Sequence, residues 1–312
     1  MVFFCYELFD MSYLTASEYY KKIFGTKVYK ISLDAGCTCP TRDGSKSYGG
    51  CIFCNATGSG DFSADRELSI EKQVENAKSL VIKKLQGRKK NNSGKYIAYF
   101  QNFTNTYGNP SELEKKYLLA LKQNDVLGLS IATRPDCLND DILNRIVEIS
   151  KKNYVSIELG LQTSNDNTAD FINRCYPTSC YDEAVKKIKK ANPNIHVVTH
   201  LIFGLPRETE CDMLSSVRHI VEQKTDGIKI TVLNVLEDTK LANLYLNGEY
   251  SCLTQDEYFE ILIKALKIIP PEIVIHRLTG DGSKKNLIAP LWIANKRKVL
   301  NDWNNCYNMS YN

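Results

Sequence analysis

What this chain lacks narrows its class before any motif is read. It has no run of about eighteen or more apolar residues, so no stretch reads as a membrane-spanning helix. Charge of neither sign dominates: 40 Lys and Arg stand against 36 Asp and Glu, a formal net charge of +4. That balance describes a mixed solvated surface; it permits a nucleic-acid partner without arguing for one. The opening Met1–Asp10 is apolar but short and carries Glu7 and Asp10, a poor match to a secretory leader. The 11 cysteines are an odd number in a long chain, unlike the even set of a small disulfide scaffold. These features read as a cytoplasmic protein with free thiols and one metal site. With 43% hydrophobic residues over 312 positions, the chain can bury a sizeable core, as one large α/β domain or two smaller ones.

What is present centres on Cys39, Cys51 and Cys54, spaced C-x11-C-x2-C with turn-forming residues between the first two. Clustered thiolates are soft ligands that select zinc or iron–sulfur clusters. The Cys51/Cys54 spacing lets two sulfurs converge across a tight turn. No fourth cysteine or histidine follows at matching spacing, which leaves one coordination position open. Structural metal sites are normally closed, so an open position points to chemistry. Cys37, two residues before Cys39, is a rival ligand. Cys175 and Cys180, spaced C-x4-C, read as ordinary thiols beside a helix start. Cys5, Cys137, Cys211, Cys252 and Cys306 have no partner at ligand spacing.

Along the chain, apolar strand-like runs alternate with helical stretches. Strands are expected at Val28–Asp34, Tyr96–Phe100, Leu127–Ala132, Val155–Leu159, His196–Phe203 and Gly227–Leu233. Helices are expected at Ser17–Phe24, from a Ser69 cap to Lys84, at Glu112–Leu121 under a Ser111 cap, at Asp140–Ser150, around 165–173 and 181–191, and up to Gln223. A basic, Asn-rich turn covers 87–94. Beyond Leu236 the rhythm weakens: a helix Asp256–Ile268 capped by Thr254, an added strand Ile273–Ile275, a loop His276–Gly282 and a last helix to about Trp303. Alternation at intervals of roughly thirty residues means repeated βαβ units and a parallel sheet. Polar residues appear where each apolar run stops: Gln101, Asn102, Asn105, Thr133, Arg134, Glu158, Gln162 and Glu208. Carboxyl ends of parallel barrel strands build active sites. Any one strand must end in something polar; it is the set, together with a thiolate triad, that points to function. His196 and His200 share a face of their strand, which suits a core histidine as well as an interior-facing one.

The loop Cys39…Cys51-Ile52-Phe53-Cys54 after a first strand resembles the radical SAM superfamily. The resemblance implies a [4Fe–4S] cluster on Cys39, Cys51 and Cys54, with S-adenosylmethionine (SAM) on the fourth iron and Phe53 near its adenine. It also implies an α/β fold, a partial (β/α)6 barrel of the TIM type with a C-terminal extension. The x11 spacing departs from the common C-x3-C-x2-C. It is similar to a branch near the Elongator catalytic subunit, as is the fuller string Ala35–Gly44 running to Gly49-Gly50-Cys51. In that string Cys37 takes an apolar position, which leaves Cys39 as the implied ligand. His200–Pro206 resembles the fifth-strand G-x-I-x-G-x-P element, so the backbone of Ile202, Gly204 and Pro206 is implied against the adenine. Glu158–Gln162 resembles the fourth-strand element, with Glu158 or Gln162 implied on the SAM ribose. Gln101–Tyr107, with Gln101, Asn102 and Asn105, replaces the usual Gly-Gly-Glu that orients the SAM amino group. Arg207 stands where the subgroup often has a small residue. The segments His276–Asp281 and Ala289–Trp292 also match, so the resemblance spans nearly the whole chain. It divides the chain into a helical segment 1–27, a core 28–235 and an extension 236–312.

The expected protein is therefore a radical SAM enzyme that generates a 5′-deoxyadenosyl radical. Its implied partners are SAM and an electron donor of the flavodoxin or ferredoxin type. Kinship with the Elongator branch implies tRNA, with a wobble uridine side chain as the target. Lys83-Lys84, Arg88–Lys90 and Lys296–Lys298 are candidate phosphate contacts, although surface lysine clusters are usually only solvated. No separate RNA-binding or acetyltransferase domain is evident. Two readings of other classes compete: a structural zinc module, which needs a fourth ligand, and an iron–sulfur electron carrier, which needs no SAM.

Overall fold

The computed structural model of the protein describes residues 13–56, 58, 65–85, 94–280 and 285–310. Met1–Asp10, Cys5, Arg88–Lys90, most of the basic turn expected at 87–94, and Asp281-Gly282 lie outside the described residues. The strands are β1 (Val28–Leu33), β2 (Lys95–Phe100), β3 (Val126–Thr133), β4 (Tyr154–Gln162), β5 (His196–Phe203), β6 (Gly227–Val232), β7 (Val235–Leu236), β8 (Val274–Arg277) and β9 (Leu287–Ala289). Most residues of β2 to β6 are buried, as expected of parallel strands with both faces in use. Seven strands pair in the order β1-β2-β3-β4-β5-β6-β8, every neighbour parallel, and the sheet curls into a half-barrel. β7 and β9 form a separate antiparallel pair.

The helices are α1 (Ala16–Phe24), α2 (Ile70–Leu85), α3 (Pro110–Leu121), α4 (Asp140–Ser150), α5 (Asp166–Phe171), α6 (Thr178–Ala191), α7 (Glu210–Glu222), α8 (Lys240–Leu246), α9 (Gln255–Ile268) and α10 (Lys296–Met309). The apolar stripes of α2, α3, α4, α6 and α7 meet the outer face of the sheet. In α4, Ile142, Leu143, Ile146 and Ile149 are all buried, the spacing that puts side chains on one helical face. Caps begin most helices where a Thr or Asn precedes the apolar pattern, as at Thr209 and Thr254. The expected cap at Ser111 is displaced. Asn109 caps α3 by accepting from the Ser111 and Glu112 N–H groups, and Pro110 takes the first helical position, where its missing N–H costs nothing.

The added strand is longer than expected and shifts the chemistry of its segment. β8 joins the parallel sheet beside β6 and runs to Arg277, which pairs with Lys229. His276 and Arg277 are thus strand residues rather than loop residues. The two ends of the sheet, β1 and β8, do not pair with each other. The segment before α1 fills that seam: Ile275 donates its N–H to Leu14 O at 2.8 Å, and Thr15 bridges Ile275. Tyr20 packs beside it with Val28 and Ile97.

This seam holds a buried chain of rings. The Tyr19 hydroxyl meets His196 Nδ1 at 3.0 Å, and His196 Nε2 meets His276 Nε2 at 2.9 Å. Burial pulls His196 down to about 3 and holds His276 well below the usual histidine range. The unfolded chain binds these protons near pH 6.5 and the folded chain does not. The stabilisation is therefore complete above that pH and is lost on acidification, by up to about 1.4 kcal/mol per pH unit for each histidine. The urea midpoint should fall between pH 7 and pH 5, and less steeply in a His196→Asn variant. A midpoint constant over that range would contradict this.

Candidate active site

The loop after β1 and the inward faces of the strands enclose one cavity. Cys39, Cys51, Cys54 and Phe53 form one wall. Gln101, Gln162, Ile202 and Thr231 line it from β2, β4, β5 and β6. One step down each strand, two residues earlier on the same face, come Tyr99, Glu158, His200 and Lys229, counting Gly160 as the upper residue of β4. The cysteine loop is pinned rather than loose. Arg42 N–H donates to Cys39 O at 2.8 Å, Ile52 N–H to Ile172 O at 3.2 Å, and Asn173 Nδ2 to Gly50 O at 2.7 Å. Gly49 and Gly50 both have left-handed φ, 80° and 77°, which lets the chain reverse just before Cys51.

The thiols sit among hydrogen bonds and cations. Cys39 Sγ accepts from Thr104 Oγ1 at 3.4 Å and lies 3.9 Å from Arg134 Nη1. Arg134 is fixed by a two-pronged pair with Asp136, at 2.9 and 2.8 Å, and lies over the Tyr176 ring. Cys51 and Cys54 share a hydrogen bond, which pushes the Cys51 thiol up and the Cys54 thiol down, and the Arg42 charge lowers Cys54 further. The pair thus releases its first proton more readily than an isolated thiol. Cys37 is elsewhere. It lies in the main apolar core with Leu113 and Tyr117, and burial pushes its thiol up to about 11.

Of the expected SAM contacts, Phe53, Gln101, Gln162 and Ile202 reach the cavity. Gln101 Oε1 accepts from Ser32 Oγ at 3.0 Å. Gln162 has φ 64° where the β4–β5 register shifts, and the Tyr176 hydroxyl lies 3.3 Å from its Oε1. Four others do not line it. Asn102 Nδ2 donates to Asp34 Oδ2 at 2.7 Å. Asn105 is fully buried, and its Nδ2 donates to Phe100 O and Ala132 O, both at 2.9 Å, tying β2 to β3. Gly204 and Pro206 border a second cavity, where Gly204 O accepts from the Tyr250 hydroxyl at 2.7 Å. Glu208 also faces that second cavity; burial pushes its carboxyl up to about 7, and Thr163 hydrogen-bonds it.

Glu158 lines the cavity, but its carboxylate is already engaged. Oε1 accepts from Lys30 Nζ and, at 2.6 Å, from Ser130 Oγ. Oε2 accepts from the Tyr99 hydroxyl at 2.9 Å, His200 Nε2 at 2.6 Å and Lys229 Nζ at 2.7 Å. Burial alone would raise this carboxyl; the Lys229 and Lys30 charges outweigh it and hold the group well below the carboxylate range. Burial pulls His200 down to about 4, so the imidazole is neutral at pH 7 and donates from Nε2–H, the only role a carboxylate partner leaves it. Lys30 and Lys229 escaped the sequence reading although both carry a signal. Each is a lone charge inside an apolar strand, Val-Tyr-Lys-Ile-Ser-Leu and Gly-Ile-Lys-Ile-Thr-Val, and such a charge must find a partner. Arg42 and Tyr176, in irregular segments, carried no comparable signal.

A parallel half-barrel with a three-thiol loop at the carboxyl ends of its strands is the architecture of a cluster-dependent α/β enzyme. The chain belongs to the radical SAM superfamily: the model of that superfamily matches residues 47–220, and that of the Radical_SAM C-terminal domain matches 225–306. It is 41% identical to protein YtqA of Bacillus subtilis over 297 residues, 95% of this chain and 90% of that one. It is 27% identical over 158 residues to the tRNA uridine(34) acetyltransferase of Methanocaldococcus jannaschii, 50% of this chain and 28% of that protein. In the archaeal Elp3 of Methanocaldococcus infernus, solved with an N-terminal deletion, the fold recurs with TM-score 0.62 at 17% identity, over 84% of this chain and 58% of that one. The protein is a radical SAM enzyme, and the superfamily's cofactors are a [4Fe–4S] cluster and SAM. The site suits them: three soft donors on one wall, two arginines beside them, and room in front. Among the described residues no three His, Cys, Asp or Glu side chains are gathered tightly enough for a single metal ion. No described helix is long and apolar enough to cross a membrane.

Glu158→Gln leaves two buried lysines without a countercharge and should cost about 3–5 kcal/mol in urea unfolding, with Lys229→Met in the same chain recovering part of it. A Glu158→Gln protein as stable as the parent would contradict the network.

Proposed function

We propose that the thiolates of Cys39, Cys51 and Cys54 hold the cluster, that Phe53, Gln101, Gln162 and Ile202 hold SAM, and that the enzyme modifies a wobble uridine side chain of tRNA. The observation that carries the cofactor assignment is the shared cavity: one loop's thiols and side chains from four strand ends line the same space. Support for the substrate comes from the likeness to a tRNA uridine(34) acetyltransferase across half of this chain. Lys296, Arg297 and Lys298, exposed at the start of α10, are candidate phosphate contacts.

Together the two cofactors supply reductive cleavage of SAM and the radical that takes hydrogen from a substrate. The protein's own groups prepare that event. Arg42 and Arg134 offset the charge of the thiolates, and the Thr104 hydroxyl steadies Cys39 through a hydrogen bond. Phe53 and Ile202 give apolar walls that keep water from the reacting centre. Gln101, held by the Ser32 hydroxyl, and Gln162, beside Tyr176, present amides to polar atoms of SAM. Asn102, Asn105, Gly204 and Pro206 act by shaping the strand ends. An electron donor of the flavodoxin or ferredoxin type would dock over the cysteine loop.

Two measurements on anaerobically reconstituted protein test this. Cys39→Ala should lose the cluster, seen as lost iron and visible absorbance, while Cys37→Ala keeps it; the reverse pattern would move the ligand to Cys37. Release of 5′-deoxyadenosine in the presence of a reductant should rise when tRNA is added. A rate indifferent to tRNA would count against the substrate.

A further inference from the structure

The deep end of the cavity carries positive charge that the cofactor assignment leaves unused. Lys30 and Lys229 both bond the single carboxylate of Glu158. Among the described residues, two ammonium groups against one carboxylate leave one charge uncompensated. Arg277 lines the same cavity and is Lys229's partner across the β6–β8 ladder, so two cations stand side by side in the sheet. Like charges directly opposite on adjacent strands repel. His200, next to Lys229 across the β5–β6 ladder, is neutral and adds nothing to the balance. Among the described residues that line the cavity, Glu158 is the only carboxylate.

Hydrogen-bond capacity gives the same answer independently. The Lys229 ammonium has three N–H donors. One goes to Glu158 Oε2 at 2.7 Å and one to the Tyr99 hydroxyl at 3.0 Å. The third has no acceptor among the described residues, although the group is nearly buried and borders the cavity. Gly160, the ladder partner of His200, has no side chain, and the Gln162 amide lies over it. Arg42 and Arg134 stand beside the thiols and answer their charge; Lys229 and Arg277 stand on β6 and β8.

We propose that Lys229, with Arg277 beside it, receives a carboxylate carried by the substrate. An excess of one charge between the two lysines and Glu158 matches a monoanion, and the third N–H of Lys229 can donate to one of its oxygens. The proposal rests on the reading of this cavity as the place where SAM and substrate meet. It adds that the substrate arrives with a negatively charged end, which the barrel interior holds while the reactive position faces the cluster wall. SAM has a carboxylate of its own, so the test separates the two sources.

Reconstituted protein loaded with SAM is titrated with acetate and acetamide, and with 5-carboxymethyluridine and its amide, by equilibrium dialysis. Each acid should bind on the order of tenfold more tightly than its amide, the difference a charge-assisted contact makes. Lys229→Met should abolish that preference and Lys229→Arg should keep it. Cluster absorbance and SAM binding, read on every variant, separate a lost anion site from a lost fold. Equal affinity of acid and amide, or a preference that survives Lys229→Met, overturns the proposal. So does acetate binding that appears only when SAM is left out, which would give the site to the SAM carboxylate. A preference within the acetate pair and none within the uridine pair supports the anion site and removes uridine as the substrate. Absence of the cluster in a protein that still prefers acids would sink the radical reading and leave the anion site standing.

Discussion

Glu158 is the point on which the barrel interior depends. It stands on β4, and its two oxygens take donors from β1, β2, β3, β5 and β6: Lys30, Tyr99, Ser130, His200 and Lys229. Six of the seven strands of the main sheet therefore meet at one carboxylate. A parallel sheet gains its stability mainly from the apolar helices packed outside it, and that burial does not by itself fix what lies inside. The inside is fixed by charge. Each lysine is too costly to leave unpaired in a buried strand, and each finds its partner only if the sheet has the observed curvature and strand order. The network is weak evidence for net stability and strong evidence for a specified interior, since any other register would strand a charge.

From that floor the cavity is built upward in layers. The charged layer lies within the strands; the next holds Gln101, Gly160, Ile202 and Thr231, and the cysteine loop closes the side. Polarity is thus graded across the cavity: thiols with arginines on one wall, apolar and amide groups between, ammonium and guanidinium groups beneath. That gradient is what a radical enzyme requires of its protein. The cofactors bring the reactivity, while the chain supplies dry walls and fixed charges that hold each partner in place.

Much of this was legible in the sequence, for reasons that differ from element to element. The βαβ rhythm was legible because β2 to β5 are long apolar runs and α4 and α9 have clear stripes and caps. The cysteine loop was legible because three thiols at close spacing are rare without a metal. Ser111 misled because a better cap, Asn109, stood two residues earlier with a proline behind it. His276 and Arg277 looked like loop residues because strand pairing with β6 is a long-range event that local polarity does not report. The strand-end amides split for a related reason. Gln101 and Gln162 reach the cavity, whereas Asn102 and Asn105 spend their amides on Asp34 and on strand carbonyls, and composition cannot tell the two uses apart. The lysines of β1 and β6 escaped the sequence reading, since their shared partner is known only once the strands are ordered.

The central claim is that the three thiols leave one iron open to SAM inside this cavity. The most direct measurement is the electron paramagnetic resonance spectrum of anaerobically reconstituted, reduced protein, recorded with and without SAM. The account predicts a reduced [4Fe–4S] signal whose position shifts when SAM is added. A cluster signal indifferent to SAM, or no signal from a protein that holds zinc, would contradict it.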